Sequence, residues 1–254
     1  MLRLAGRVVL VAGAGAIGSE LARRYAAEGA SVVLGDVKVN SAQEAVEEIV
    51  GAGGQAGAIK LDGTDESSIV AAVAKCREVY GGLDGLHVNF AMFEDNETDI
   101  GVMDLDLATF DQLMQVNVRG FLLCTRHALP ELIARGGGTI LYTGSIAAYI
   151  GGPRRVAYAM SKSAILALMR HVATRHGPDG IRANALVPGF ILRPGQEDVF
   201  RPEIVQGAKN IALIKSRIGH PGDVAALSAL LMSDEGSYIT GQSIAIDGGI
   251  TMRA

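Results

Sequence analysis

Apolar residues in this chain fall into short runs separated by longer stretches of helical spacing. Seven runs, at 7–12, 31–35, 56–61, 84–90, 138–143, 181–187 and 243–247, read as strands. The first of them, R-V-V-L-V-A, is a consecutive apolar run and reads as a buried strand. Between them, segments near 17–28, 40–52, 65–80, 107–134, 156–176 and 222–233 carry the helical period. Strand and helix alternate, which predicts an α/β fold: a Rossmann-type, doubly wound parallel sheet of about seven strands with helices on both faces. Crossovers should be right-handed. No linker, repeat or low-complexity tract interrupts the rhythm, so residues 1–254 read as a single domain. Two irregular stretches stand out. One is 92–106, with the acids Glu94, Asp95, Glu97, Asp99, Asp104 and Asp106, and the other is 188–220. Both leave the carboxyl ends of strands, where open parallel sheets bind ligands. The acidic stretch reads first as a solvated loop, and 188–220 as a substrate lid.

Composition narrows the classes. Of 254 residues, 49% are hydrophobic, 20% are charged and 33 are glycine, a globular composition with many tight turns. A net charge of −4 argues against nucleic acid or an acidic membrane as partner. Cys76 and Cys124 form no C-x-x-C or Cys/His cluster, so neither a disulfide framework nor a metal site is expected. No apolar run approaches the ~20 residues of a membrane span. The opening M-L-R-L-A-G-R looks like a signal n-region, but the short apolar stretch behind it serves as the first strand. A soluble, cytoplasmic protein is the expectation.

Gly13-Ala14-Gly15-Ala16-Ile17-Gly18 follows the first strand and opens a helix. This is G-x-G-x-x-G in the context that dinucleotide binding requires. Glycines let a pyrophosphate reach the backbone, and the helix N-terminus offers unpaired N–H groups and a positive dipole end. Asp36 ends the second strand, eighteen residues after Gly18. A carboxylate there accepts bonds from both adenosine ribose hydroxyls and repels a 2′-phosphate, which favours NAD over NADP. Tyr158 and Lys162 stand at i and i+4, and Ser145 precedes the tyrosine by thirteen residues. A free tyrosine titrates near ~10. A fixed cation about 4 Å away contributes roughly 4 kcal/mol at an effective dielectric near 20, lowering that value by about three units. A phenol so tuned is a usable general acid and base.

Together these residues resemble the short-chain dehydrogenase/reductase family, in its compact single-domain branch. The resemblance adds Asn117 in M-Q-V-N-V-R-G, Asp62 in L-D-G-T-D, Pro188-Gly189 and the C-terminal I-T-G-Q-S-I-A-I-D-G-G. It implies hydride transfer between a nicotinamide and a secondary alcohol/ketone pair. Tyr158 would be the acid/base, Ser145 would bond the substrate oxygen, and Lys162 would bind the nicotinamide ribose and lower the tyrosine pKa. Asn117 would hold a water of the proton path. Cofactor contacts would fall to Gly13, Gly15, Ile17, Gly18, Asp36, Asp62, Gly63, Asn89, Ala91, Tyr158, Lys162, Pro188, Gly189 and Ile191. Relatives form dimers or tetramers through the two long helices and the last strand, so a homo-oligomer, dimer or tetramer, is implied.

The chain also departs from the pattern. Its glycine turn is one residue short. Asn89-Phe90-Ala91-Met92 replaces the family's Asn-Asn-Ala-Gly, which predicts an altered cofactor-ribose contact or pocket floor. Arg193 stands where a threonine usually follows Pro-Gly. With Arg154 and Arg155 it could grip an anionic substrate, although surface or subunit-interface arginines are the plainer reading. Two other functions remain open: a 3-oxoacyl thioester reductase, which Asp36 disfavours, and a retired nucleotide-binding scaffold, which the intact Asn117/Ser145/Tyr158/Lys162 set disfavours.

Overall fold

The computed structural model describes residues 2–93, 101–193, 195 and 202–252. In chain order the main elements are β1 (Val8–Ala12), α1 (Ala16–Ala27), β2 (Ser31–Asp36), α2 (Val39–Gly51), β3 (Gln55–Lys60), α3 (Glu66–Tyr80) and β4 (Gly85–Val88). Then come α4 (Leu107–Met114), α5 (Gly120–Ala134), β5 (Gly138–Thr143), α6 (Val156–His176), β6 (Ile181–Pro188), α7 (Pro202–Ile211), α8 (Pro221–Met232) and β7 (Ser243–Ile246). The strands form one sheet in the order β3–β2–β1–β4–β5–β6–β7, every pair parallel. This is the doubly wound sheet that the alternation predicts.

β1 shows why an uninterrupted apolar run suits this position. All five of its residues are buried. Val8, Leu10 and Ala12 pack into the core under α3, α5 and α6, while Val9 and Val11 pack into the core under α1, α2 and α8. Each buried valine or leucine contributes about 1.5–3 kcal/mol, so a polar residue on either face of β1 would be costly. Elements stop where local chemistry stops them. Asp65 caps α3 by accepting from Ser67 N, and Gly81 ends that helix at φ +84°. Strand order reverses at β1, between β2 and β4. The connections after β1 and β4 therefore diverge and leave a crevice at the carboxyl ends of the strands.

Three boundaries differ from the sequence expectation. β4 ends at Val88, because the N–H groups of Asn89 and Phe90 both donate to Ala12 O (2.8 and 3.0 Å) and turn the chain across the end of β1. The helix expected at 107–134 contains a π turn, Gln115–Arg119, between α4 and α5. The stretch 188–220 is not wholly irregular, since it carries α7. Only Val205 of α7 is buried, yet Ile204, Val205, Ala208 and Ile211 keep the helical spacing, a signal the lid reading passed over. Glu94, Asp95, Glu97 and Asp99 lie outside the described residues. Asp106 caps α4 by accepting from Thr109 N at 2.8 Å. Cys76 and Cys124 are buried thiols, and burial pushes both up to about 12. No described helix is long and apolar enough to cross a membrane.

Candidate active site

The turn after β1 is shaped by what its glycines lack. Gly13 sits at φ +102°, and a Cβ there would lie 2.5 Å from Phe90 N. A Cβ on Gly18 would overlap the Gly13 carbonyl. Gly15, the residue before α1, has φ +34° and open space where a side chain would be. The first turn of α1 carries N–H groups that no helix carbonyl can reach. Backbone donors, a dipole end and side-chain-free space thus meet at one place, and a dinucleotide's diphosphate fits there. Asp36 comes to the same place. Its Oδ2 accepts from Ala14 N and its Oδ1 from Lys38 N, both at 2.8 Å. Each oxygen keeps a second lone pair for a ribose hydroxyl. Ile17 packs against the adjoining core.

The end of β4 explains the unusual Asn89-Phe90-Ala91-Met92. Asn89 Nδ2 donates to Gly13 O at 3.1 Å, tying β4 to the glycine turn. The Phe90 ring meets Phe121 edge-on, with centroids 5.1 Å apart. It fills space left by two further glycines: a Cβ on Gly63 would come within 2.7 Å of the ring, and one on Gly120 within 3.0 Å. Beside Gly63, Asp62 Oδ1 accepts from Thr64 N (2.8 Å) and Thr64 Oγ1 (2.7 Å), leaving Oδ2 for a ligand. Ala91 and Met92 pack with Tyr158 and Leu113 in a small cluster. Asn117, buried in the π turn, grips the backbone of Met92 like a second strand. Its Oδ1 accepts from Met92 N (2.7 Å) and its Nδ2 donates to Met92 O (2.9 Å) and Ser161 Oγ (3.2 Å). Here Asn117 is first a brace, and any relay water is left to the remaining Oδ1 lone pair.

Ser145 caps a short 3₁₀ turn, its Oγ accepting from Ala147 N at 3.1 Å. Tyr158 lies in the first turn of α6, with 8% exposure, and its ring stacks on Phe93 with centroids 5.0 Å apart. Phe93 was not foreseen; an aromatic residue two positions beyond Ala91 was its only signal. Lys162, one turn on, is 1% exposed. Its Nζ donates to Thr143 O at 2.9 Å and lies 5.5 Å from the Tyr158 ring centroid and 5.3 Å from that of Phe121. Expectation and structure part here. The sequence reading treats Lys162 as a fixed cation, but burial pushes it down to about 7. The facing rings favour the charged form, and desolvation outweighs them.

This has a stability consequence. The folded lysine releases its proton near 7, whereas the unfolded one holds it to about 10.5. Between those values the unfolded chain binds more protons, so this group's contribution rises with pH, by up to about 5 kcal/mol over the window. Buried Cys76 and Cys124 push the other way above pH ~9. The difference between wild type and Lys162→Met therefore isolates the lysine. In urea titrations at about pH 7 and about pH 9.5, the gap favouring Lys162→Met should narrow as pH rises. A gap independent of pH would contradict a neutral lysine above 7.

Pro188 ends β6, and Gly189 N donates to Ile246 O at 3.0 Å. A Cβ on Gly189 would lie 2.9 Å from Asp247 Cα, and Ile191 forms a parallel bridge with Gly219. The segment beyond β6 is thereby held to the C-terminal part of the chain. Arg154 is exposed, and Arg155 precedes α6 at φ +63°. Arg193 turns to the glycine loop, its Nη2 donating to Gly15 O at 3.3 Å, which sets it on the diphosphate side of the crevice.

Known proteins resemble this chain over nearly its whole length. Residues 11–251 match the protein family described as Enoyl-(Acyl carrier protein) reductase. The chain is 37% identical to a probable short-chain type dehydrogenase/reductase of Bradyrhizobium diazoefficiens, over 98% of this chain and 89% of that one. It is 33% identical to the 2,5-dichloro-2,5-cyclohexadiene-1,4-diol dehydrogenase LinX of Sphingobium indicum, over 97% of each. A crystal structure of a short-chain type dehydrogenase/reductase from Mycobacterium marinum superposes with a TM-score of 0.89 at 28% identity, covering 99% of this chain and 98% of that one.

Proposed function

Because the chain belongs to the short-chain dehydrogenase/reductase family, we propose that this oxidoreductase is an NAD-dependent dehydrogenase of secondary alcohols, with Tyr158 as its general base. The observation that carries the cofactor choice is Asp36 docked on Ala14 N at the glycine turn. A 2′-phosphate would sit against this carboxylate, and like unit charges about 5 Å apart repel by about 3 kcal/mol at an effective dielectric near 20. When bound, the nicotinamide supplies the hydride acceptor. The protein orients the alcohol and takes its proton. Ser145 donates its hydroxyl hydrogen to the alcohol oxygen, leaving its own oxygen on Ala147 N. Tyr158 accepts the alcohol proton as the carbonyl forms, and Lys162, when protonated, stabilises the phenolate. The apolar surroundings of Tyr158, including Phe93, Met92 and Leu113, suit a cyclic or aliphatic alcohol. The cyclic diol named for the Sphingobium relative supports the same class.

Reduction of an acyl thioester is the second reading, favoured by the description of the matched family. Asp36 counts against it, since such reductions usually draw on NADPH. We also read the protein as a homo-oligomer, with Leu122 and Met160 exposed on the two long helices as support. One experiment separates the enzymatic readings. Cyclic secondary alcohols with NAD or NADP, and 3-oxoacyl and enoyl thioesters with NADH or NADPH, are followed by reduced-nicotinamide absorbance. NAD should win by on the order of 100-fold in kcat/KM. Asp36→Asn keeps an acceptor for Ala14 N and loses the charge, and should shrink the preference to within about threefold. A wild-type preference for NADP, or turnover of thioesters alone, would overturn this reading.

A further inference from the structure

His87 lies inside β4, fully buried, in register with Val11 of β1 and Leu141 of β5. A histidine amid valines and leucines costs stability unless both ring nitrogens find partners. Both do. Nδ1 lies 2.8 Å from Tyr25 Oη on α1, and Nε2 lies 3.0 Å from Thr143 Oγ1 at the end of β5. Thr143 Oγ1 is 2.8 Å from Asn89 Oδ1, and Asn89 Nδ2 is 3.1 Å from Gly13 O.

The direction of every bond in this chain is fixed by chemistry. Gly13 O only accepts, so Asn89 presents its NH₂ there and its Oδ1 to Thr143. Oδ1 only accepts, so the threonine spends its one hydroxyl hydrogen on Asn89. Thr143 Oγ1 must then receive a hydrogen from His87 Nε2. Burial keeps the imidazole neutral, with its pKa pushed down to about 3, so its single proton sits on Nε2. Nδ1 accepts from the Tyr25 hydroxyl. The backbone of Thr143 serves a second site, for its carbonyl oxygen accepts from Lys162 Nζ at 2.9 Å.

We infer that His87 is a positioning residue for the dinucleotide: its Nε2–H holds Thr143, which sets Asn89 and the Gly13 carbonyl at the phosphate turn and steadies the carbonyl under Lys162. The inference rests on the glycine turn being the dinucleotide site. It assigns a role to a residue outside the crevice itself, and it explains why a chain of polar side chains crosses the buried middle of the sheet. Fully satisfied buried networks fix a single arrangement more sharply than apolar packing does.

The test uses His87→Leu, which keeps volume and loses the donor; His87→Gln, whose amide N–H reaches about as far as Nε2; and His87→Asn, which reaches only the Nδ1 position. Thr143→Val, alone and with His87→Leu, completes a double-mutant cycle. Dissociation constants for NADH and NADPH come from fluorescence titration, with circular dichroism as the check of folding. His87→Leu and His87→Asn should weaken the dinucleotide about tenfold, roughly the worth of one buried hydrogen bond, and His87→Gln should recover to within about threefold. The double variant should bind no worse than the weaker single one. Nitrogen NMR of wild type should show His87 protonated at Nε2. Wild-type affinity in folded His87→Leu or His87→Asn overturns the role, as do equal losses in Gln and Asn, additive losses in the cycle, or a proton on Nδ1. Should His87→Leu not fold, the contrast between His87→Asn and His87→Gln decides the question alone. Wild-type protein that binds neither dinucleotide overturns the reading of the crevice, and this role with it.

Discussion

Tyr158→Phe is expected to lower kcat by about 10²–10⁴-fold, the range set by one positioned proton-transfer group, while dinucleotide affinity stays within about threefold of wild type. The substitution is unusually clean here. The ring is nearly buried, stacks on Phe93 and lies 5.5 Å from Lys162 Nζ, and phenylalanine keeps all of this packing. Only the hydroxyl is lost. Initial rates at saturating alcohol, set beside fluorescence titration of the reduced dinucleotide, give both numbers. Unimpaired turnover would remove Tyr158 from the chemistry. A chain that bound dinucleotide but turned over nothing even as wild type would be the scaffold that the sequence leaves open.

Gly18→Ala should have the largest effect on binding, with dinucleotide affinity falling at least ~100-fold. An added methyl would overlap the Gly13 carbonyl and lie 2.9 Å from Asn89 Nδ2, the atom that donates to that same carbonyl. Neither neighbour is the free end of a flexible side chain, so the turn itself must move. Overpacking of this kind costs about 1–3 kcal/mol or more. The midpoint should therefore fall on the order of 4–10 °C in a thermal melt. Gly51→Ala is the control. It adds the same methyl to the last residue of α2, in open space, and should leave affinity unchanged. Retention of affinity within tenfold in Gly18→Ala would show that the turn tolerates the shift, and its role as a close-fitting cradle would fail.

Much of the sheet was legible because burial on both faces leaves short apolar runs, unbroken in β1 and interrupted in β6 by Arg182 and Asn184. The glycine turn was legible because close backbone approach demands a residue type that patterning can see. Other features depend on tertiary neighbours. α7 is short, and its apolar residues Ile204, Val205, Ala208 and Ile211 sit among the turn residues of a long loop, so the helix was read as part of that loop although its spacing is helical. The protonation of Lys162 is set by how completely its neighbours exclude water, and spacing to Tyr158 says nothing of that. Arg193 could be grouped with Arg154 and Arg155 by charge, but only coordinates place its guanidinium on Gly15 O. His87 was visible as a lone polar residue in G-L-H-V, yet its partners Tyr25 and Thr143 stand 62 and 56 residues away.

The slot that receives Phe90 ties three distant positions into a single unit of inheritance. With bare backbone at residues 63 and 120, the bulky ring has room; a methyl on either would strike it. Swapping Phe90 alone for the asparagine usual in the family would leave a void facing two unadorned peptides. Transplanting the ring into a cousin with side chains at both places would jam. Order of change therefore matters: a smaller residue at 90 must come first and leaves a void that a side chain at 63 or 120 can later fill, whereas the reverse order passes through a clash.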